Sequence, residues 1–234
     1  MRKKALAIGG LAAALTMLAG VAYADFTPAF DLTLTDTKVG ANPNFDIHLE
    51  FDGNDEEIAN FKMMIPKGFV IASDEDIPTQ ETAPGQPARS GADIGGGTVE
   101  IAAGTACRPG PEGGIPAKQQ VTINAEIYER PRSDEEADAG VHAVWLLDLE
   151  PANRVRLLVT GSPTTGWTVE GAPTASDNTC NPLLVDLTIE GKTADGIPVI
   201  TNPTKKGRAK FTAEIYSQDS PSIAVFKEVF KITK

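Results

Sequence analysis

The chain reads as an all-β protein, an antiparallel sandwich of the immunoglobulin-like or jelly-roll kind with about ten to twelve strands. Short runs of strict apolar and polar alternation recur along it. The sequence also holds 17 prolines and 22 glycines, a density that punctuates strands and discourages long helices. These runs are bounded by Gly, Pro, Asn or Asp, the residues that turns require.

The clearest run is Phe45-Asp46-Ile47-His48-Leu49-Glu50-Phe51-Asp52. Successive strand side chains point to opposite faces, so this run puts four apolar groups on one face and four polar groups on the other. The same period appears at Phe30, Leu32 and Leu34, at Val121, Ile123, Ala125 and Ile127, at Leu183, Val185, Leu187 and Ile189, and at Phe211, Ala213 and Ile215. Less regular strands are expected at Ile58–Ile65, Thr98–Ala102, His142–Leu149, Val155–Thr160 and Trp167–Glu170. In Ser222–Lys234 both periods can be traced, and its Val, Ile and Thr content favours a strand. Residues 73–97, 108–117 and 130–140 read as loops, because apolar periodicity lapses where Pro, Gly and acids gather.

Residues 1–24 have the layout of a signal peptide. Arg2, Lys3 and Lys4 precede an Ala/Leu/Gly-rich stretch, and Ala22-Tyr23-Ala24 offers a small-x-small cleavage site before Asp25. The expected product is a secreted, extracellular or cell-envelope protein of residues 25–234, without membrane insertion after cleavage. It reads as one domain, the alternative being two β domains divided near 108–117.

Cleavage removes three bases and takes the formal charge from -11 to -14, with 18 Lys and Arg against 32 Asp and Glu. Such a balance repels phosphate backbones and excludes nucleic acid as the expected partner. An extracellular protein or a glycan remains open as ligand, as does the oligomeric state. The two cysteines, Cys107 and Cys180, enter an oxidising compartment and are expected to form one disulfide. Closing their loop is worth about 4 kcal/mol in the chain-entropy account.

Motifs that demand chemistry are incomplete. Asp52-Gly53-Asn54-Asp55-Glu56-Glu57 gathers oxygen ligands, and Asp52, Asp55 and Glu56 are the residues a calcium ion would use. Counted from Asp52, however, the sixth and twelfth positions are Glu57 and Met63, where a calcium loop needs Gly and Glu. A charged hairpin tip is the simpler reading, and no cofactor is otherwise expected. Gly161-Ser162-Pro163-Thr164-Thr165-Gly166 is neither a nucleophile elbow nor a phosphate loop. Trp167, flanked by Gly166 and Thr168 near a turn, is the aromatic residue placed to meet a ligand, against a core role for the same ring. Trp145 in its apolar run reads as core.

The segments LTLTDTKVGANPNFDIHLEF (32–51), MIPKGF (64–69) and VITNPT (199–204) resemble uncharacterised secreted bacterial proteins, actinobacterial in type, with immunoglobulin-like or jelly-roll sandwiches. The resemblance implies an extracellular β-sandwich and brings no activity with it. Where such proteins carry a cysteine after the Asn-Pro-Thr, this chain has Lys205-Lys206, so their disulfide pattern does not transfer. The functional expectation is a secreted, non-enzymatic module for a cell surface, a matrix or a ligand. The alternative is an extracellular carbohydrate-active enzyme or other hydrolase, whose acidic site no motif singles out.

Overall fold

A computed structural model describes residues 26–51, 58–77, 91–102, 120–149, 153–172, 182–218 and 220–234. Its strands are β1 (Ala29–Leu34), β2 (Phe45–Glu50), β3 (Ile58–Ile65), β4 (Val70–Ile71), β5 (Ala92–Ala102), β6 (Gln120–Arg130), β7 (Val141–Leu149), β8 (Asn153–Ser162), β9 (Gly166–Ala172), β10 (Pro182–Ile189), β11 (Ile200–Thr201), β12 (Gly207–Ser217) and β13 (Ile223–Ile232). Among the described residues one short helix, α1 (Asp134–Asp138), stands between β6 and β7. No helix among the described residues is long and apolar enough to cross a membrane.

Eleven of the strands form a single sheet in the order β1-β2-β10-β5-β6-β7-β8-β9-β3-β12-β13, and β4 pairs with β11 apart from it. Every neighbouring pair in the large sheet is antiparallel. The all-β antiparallel expectation is met. The two stacked sheets of an immunoglobulin-like or jelly-roll sandwich are not confirmed, since one unbroken ladder runs from β1 round to β13. Alternation tells which face of a strand is buried, but not which strand lies beside it.

The two ends of this ladder come together. Lys38 bridges Thr233 in a parallel sense, the Val39 N–H donates to the Thr233 carbonyl at 2.9 Å, and the Thr233 N–H donates to the Thr37 carbonyl at 2.8 Å. Higher up, the Phe30 and Phe226 rings lie 5.7 Å apart. The sheet is therefore nearly closed into a barrel, with a seam between β1 and β13. Strand directions alternate round an odd number of strands, so the two seam strands run the same way.

The inward faces are those that alternation predicts. Leu32 and Leu34 of β1, Phe45, Ile47 and Leu49 of β2, Val185 and Ile189 of β10, and Phe211 and Ile215 of β12 are all buried in one core cluster. Eight strands already enclose about the space that side chains can fill, so eleven need additional material inside. A strap formed by residues 66–77 supplies part of it, with Phe69, Ile71 and Ile77 buried, and Val199 and Ile200 join them. Phe69 meets Phe45 at 6.0 Å and Phe211 at 5.3 Å, both edge to face. Such aromatic pairs add to simple area burial.

Two expected loops hold regular structure. Residues 92–97 belong to β5, because their glycines permit an approach that side chains would block. A Cβ on Gly95, whose φ is +145°, would lie 2.0 Å from the Thr188 carbonyl oxygen of the neighbouring strand. Within 130–140, Ser133 caps α1 by accepting from the Glu136 N–H, while the Glu136 side chain accepts from the Ser133 N–H. This is a capping box, readable as Ser-x-x-Glu.

Candidate functional site

The β6 alternation that buries Ala125 and Ile127 continues one step further, to Glu129. This carboxyl is 2 % exposed. It stands opposite Trp145 of β7 on one side and Ala92 of β5 on the other. Neither of its oxygens has a hydrogen-bond partner, and neither does the Trp145 indole nitrogen. The indole faces the carboxyl without reaching hydrogen-bond geometry. Burial, reinforced by the negative charge of Asp74, pushes the Glu129 pKa up to about 8, against the opposing pull of the Trp145 N–H and Arg132. Glu129 is thus a neutral acid at pH 7.

The strap is stitched down over this end of the barrel. Arg132 donates through Nε to Asp74 at 2.6 Å, through Nη2 to Glu75 at 2.9 Å and through Nη1 to the Val141 carbonyl at 3.2 Å. His142 donates through Nε2 to the Ile71 carbonyl at 2.7 Å and packs its ring 4.5 Å from that of Trp167. The Trp167 Nε1–H donates to the Phe69 carbonyl at 2.8 Å. The Ser73 N–H and hydroxyl both donate to Asp76, at 3.0 Å each. These two bonds hold the Asp76 carboxyl below its ordinary pKa. A neutral acid near a carboxylate held ionised is the pattern of acid and base roles in hydrolytic sites, but here it lies beneath a sealed cover.

Beside this end, Glu136 receives both terminal nitrogens of Arg130, the shorter contact being to Nη2, and also one from Arg156 at 3.3 Å. Hydrogen bonds from Arg130, with those of the Ser133 cap, pull the Glu136 pKa down to about 2 against a desolvation cost. The acidic run 134–136 is in this respect a structural anchor.

A second feature lies on the outer wall. The outward residues of β13 are Ile223, Val225, Lys227, Val229 and Lys231, with Ile223, Val225 and Val229 50–52 % exposed. Across the ladder, Lys210 stands opposite Val229 and Arg208 opposite Lys231. Residues 205–234 hold seven Lys and Arg against three Asp and Glu, while the whole chain carries -11. On β2, β10 and β5 the outward positions include Asp46, Glu50, Asp186 and Glu100, which gives the opposite sign. Overall charge conceals this division, and counting bases over the last thirty residues would have revealed it.

The residues singled out from sequence fare differently. Asp52, Asp55 and Glu56, the calcium set, lie outside the described residues, as do Cys107 and Cys180 of the expected disulfide. Among the described residues, no group of three or more His, Cys, Asp or Glu is placed to hold a metal ion. Trp167 is 3 % exposed and anchors the strap, so its ring presents no face to an external ligand. Trp145 is in the core, as expected. The 161–166 fragment is the β8–β9 turn, where the Ser162 and Thr165 hydroxyls bond each other at 2.9 Å. No known protein family, curated protein or solved structure matches the chain.

Proposed function

We propose that the chain is an exported, non-enzymatic module that binds an acidic protein partner at the cell surface or outside the cell through the outer face of β12 and β13. The observation that carries this reading is the exposed strip of Ile223, Val225 and Val229 set among Lys227, Lys231, Lys210 and Arg208 on an otherwise acidic chain. Apolar groups supply contact area, and the surrounding bases select an acidic counterpart and speed the encounter. The acidic wall of β2, β10 and β5 turns the same partner away and so fixes which face docks.

The Lys227→Glu, Lys231→Glu double variant tests the reading on washed envelopes of the exporting cells. The wild-type protein is expected to sediment with the envelopes and to elute when salt screens the contact. The variant is expected to remain in the supernatant, at least about tenfold depleted from the pellet, since a reversed charge adds repulsion to the lost attraction. Equal retention of the two proteins contradicts the proposal.

A second reading, a hydrolase, is favoured by Glu129 and Asp76, whose pKa values are displaced in opposite directions. It requires the strap to lift before substrate reaches Glu129. On this reading Glu129→Gln abolishes activity and leaves envelope retention untouched.

A further inference from the structure

The geometry points to the seam between β1 and β13 as the acceptor for a twelfth strand, an extended segment of the partner protein with alternating apolar and acidic residues. This rests on the proposed binding role and specifies how the partner is held.

The pairing of each seam strand fixes which backbone groups are spare. On β1, Thr35 donates to the Asn44 carbonyl, so odd-numbered residues bond β2 and the amides of Phe30, Leu32 and Leu34 face the seam. On β13, Ser217 of β12 donates to the Ser222 carbonyl, and Thr233 turns its N–H and C=O toward residues 37–39. Even-numbered residues therefore bond β12, and Val225, Lys227 and Val229 turn their amides to the seam. Among the described residues, no ladder joins β1 to β13. The only backbone bonds between the two ends of the sheet there are the clasp at 37–39 and 233.

Direction completes the argument. β1 and β13 run the same way, so one strand running the other way is antiparallel to both. It converts an eleven-stranded ladder with a mismatched closure into twelve alternating strands without edges, the arrangement that removes unpaired strand groups. The clasp holds the strap end, so entry comes from the opposite rim, and the six residues of β1 set the length of the insert. On the inner side Phe30 packs against Phe226 and Phe61, with ring centroids 5.7 and 6.4 Å apart, and the apolar side chains of the insert replace these contacts as the two strands part. Outward side chains lie beside Lys227, with Lys231 next to the clasp, against the single Asp31 on β1, which favours acids.

The probe is a labelled synthetic peptide copying residues 44–52, NFDIHLEFD, which has the required alternation and whose sequence already pairs antiparallel with β1 in the fold. Fluorescence anisotropy with the chain of residues 25–234 is expected to show saturable binding, at least about tenfold weaker for a scrambled peptide. Val229→Pro removes one seam-facing N–H and leaves the β12 ladder intact, so it is expected to weaken binding about tenfold or more. If that variant does not fold, hydrogen exchange on the wild-type protein decides: the peptide is expected to slow exchange at Val225, Lys227 and Val229. No binding, equal binding of the scrambled peptide, or unchanged exchange at these amides overturns the proposal. A folded Val229→Pro protein that binds the peptide normally overturns it as well. Envelope retention separates the two ideas. Loss in Lys227→Glu, Lys231→Glu with persistence in folded Val229→Pro leaves the surface reading standing without the inserted strand.

Discussion

Glu129→Gln is expected to stabilise the protein by about 3 kcal/mol at pH 7 and to leave it nearly unchanged at pH 4. The folded-state pKa of Glu129 is raised from the ordinary 4.5 to about 8. Below 4.5 both folded and unfolded chains hold the proton, and the contribution of this group to stability is fully present. Between 4.5 and about 8 the unfolded chain releases the proton while the folded one keeps it, so stability falls by about 1.4 kcal/mol per pH unit. Above that range both states are ionised and the loss is complete. Glutamine has nearly the same shape and cannot ionise, so its curve lacks this slope. Urea unfolding of both proteins from pH 4 to 9 measures the difference directly. Parallel curves would mean that Glu129 is hydrated or paired in the folded protein.

Phe69→Ala is expected to cost about 3–5 kcal/mol, the range for emptying a buried phenylalanine site. Phe69 is fully buried, touches the rings of Phe45 and Phe211, and carries the carbonyl that receives the Trp167 indole. Its loss opens a cavity and also frees the strap that excludes water from Glu129. The variant should therefore show two effects in the same unfolding series, lower stability and a shallower fall between pH 4.5 and 8. Val229→Ala, on the outer wall, is expected to stay within about 0.5 kcal/mol of wild type, as surface changes usually do. A Phe69→Ala protein that keeps the full pH slope would show that the strap does not control the surroundings of Glu129.

Much of the fold is legible in the sequence because side-chain alternation needs no partner to be seen. Phe45, Ile47 and Leu49 face inward as their spacing requires, and β13 is the strand that its composition favours. Partner choice is not local. β2 lies beside β10, and β3 beside β9, pairings across more than a hundred residues that no short pattern encodes. Glycine also hides strands, since residues 95–97 carry no side chains to alternate.

The buried carboxyl was within reach of the same reading. The run Val121, Ile123, Ala125, Ile127 lands on Glu129 at its next inward step, an acid on an apolar face. Trp167 was not, because its burial comes from a strap about a hundred residues earlier, and the Gly166 before it suggests a surface turn. The basic wall was concealed by averaging, since seven bases near the C-terminus vanish within a chain that is acidic overall.

One continuous sheet that stops short of closure between β1 and β13 is the feature on which the inserted strand depends. Residue-resolved hydrogen exchange along β13, on the protein alone, tests it most directly. The account predicts fast exchange at Val225, Lys227 and Val229, with slow exchange at Ala224, Phe226 and Glu228 and at the clasped Thr233. Uniform protection of odd and even positions would mean that the seam is already paired, and would contradict it.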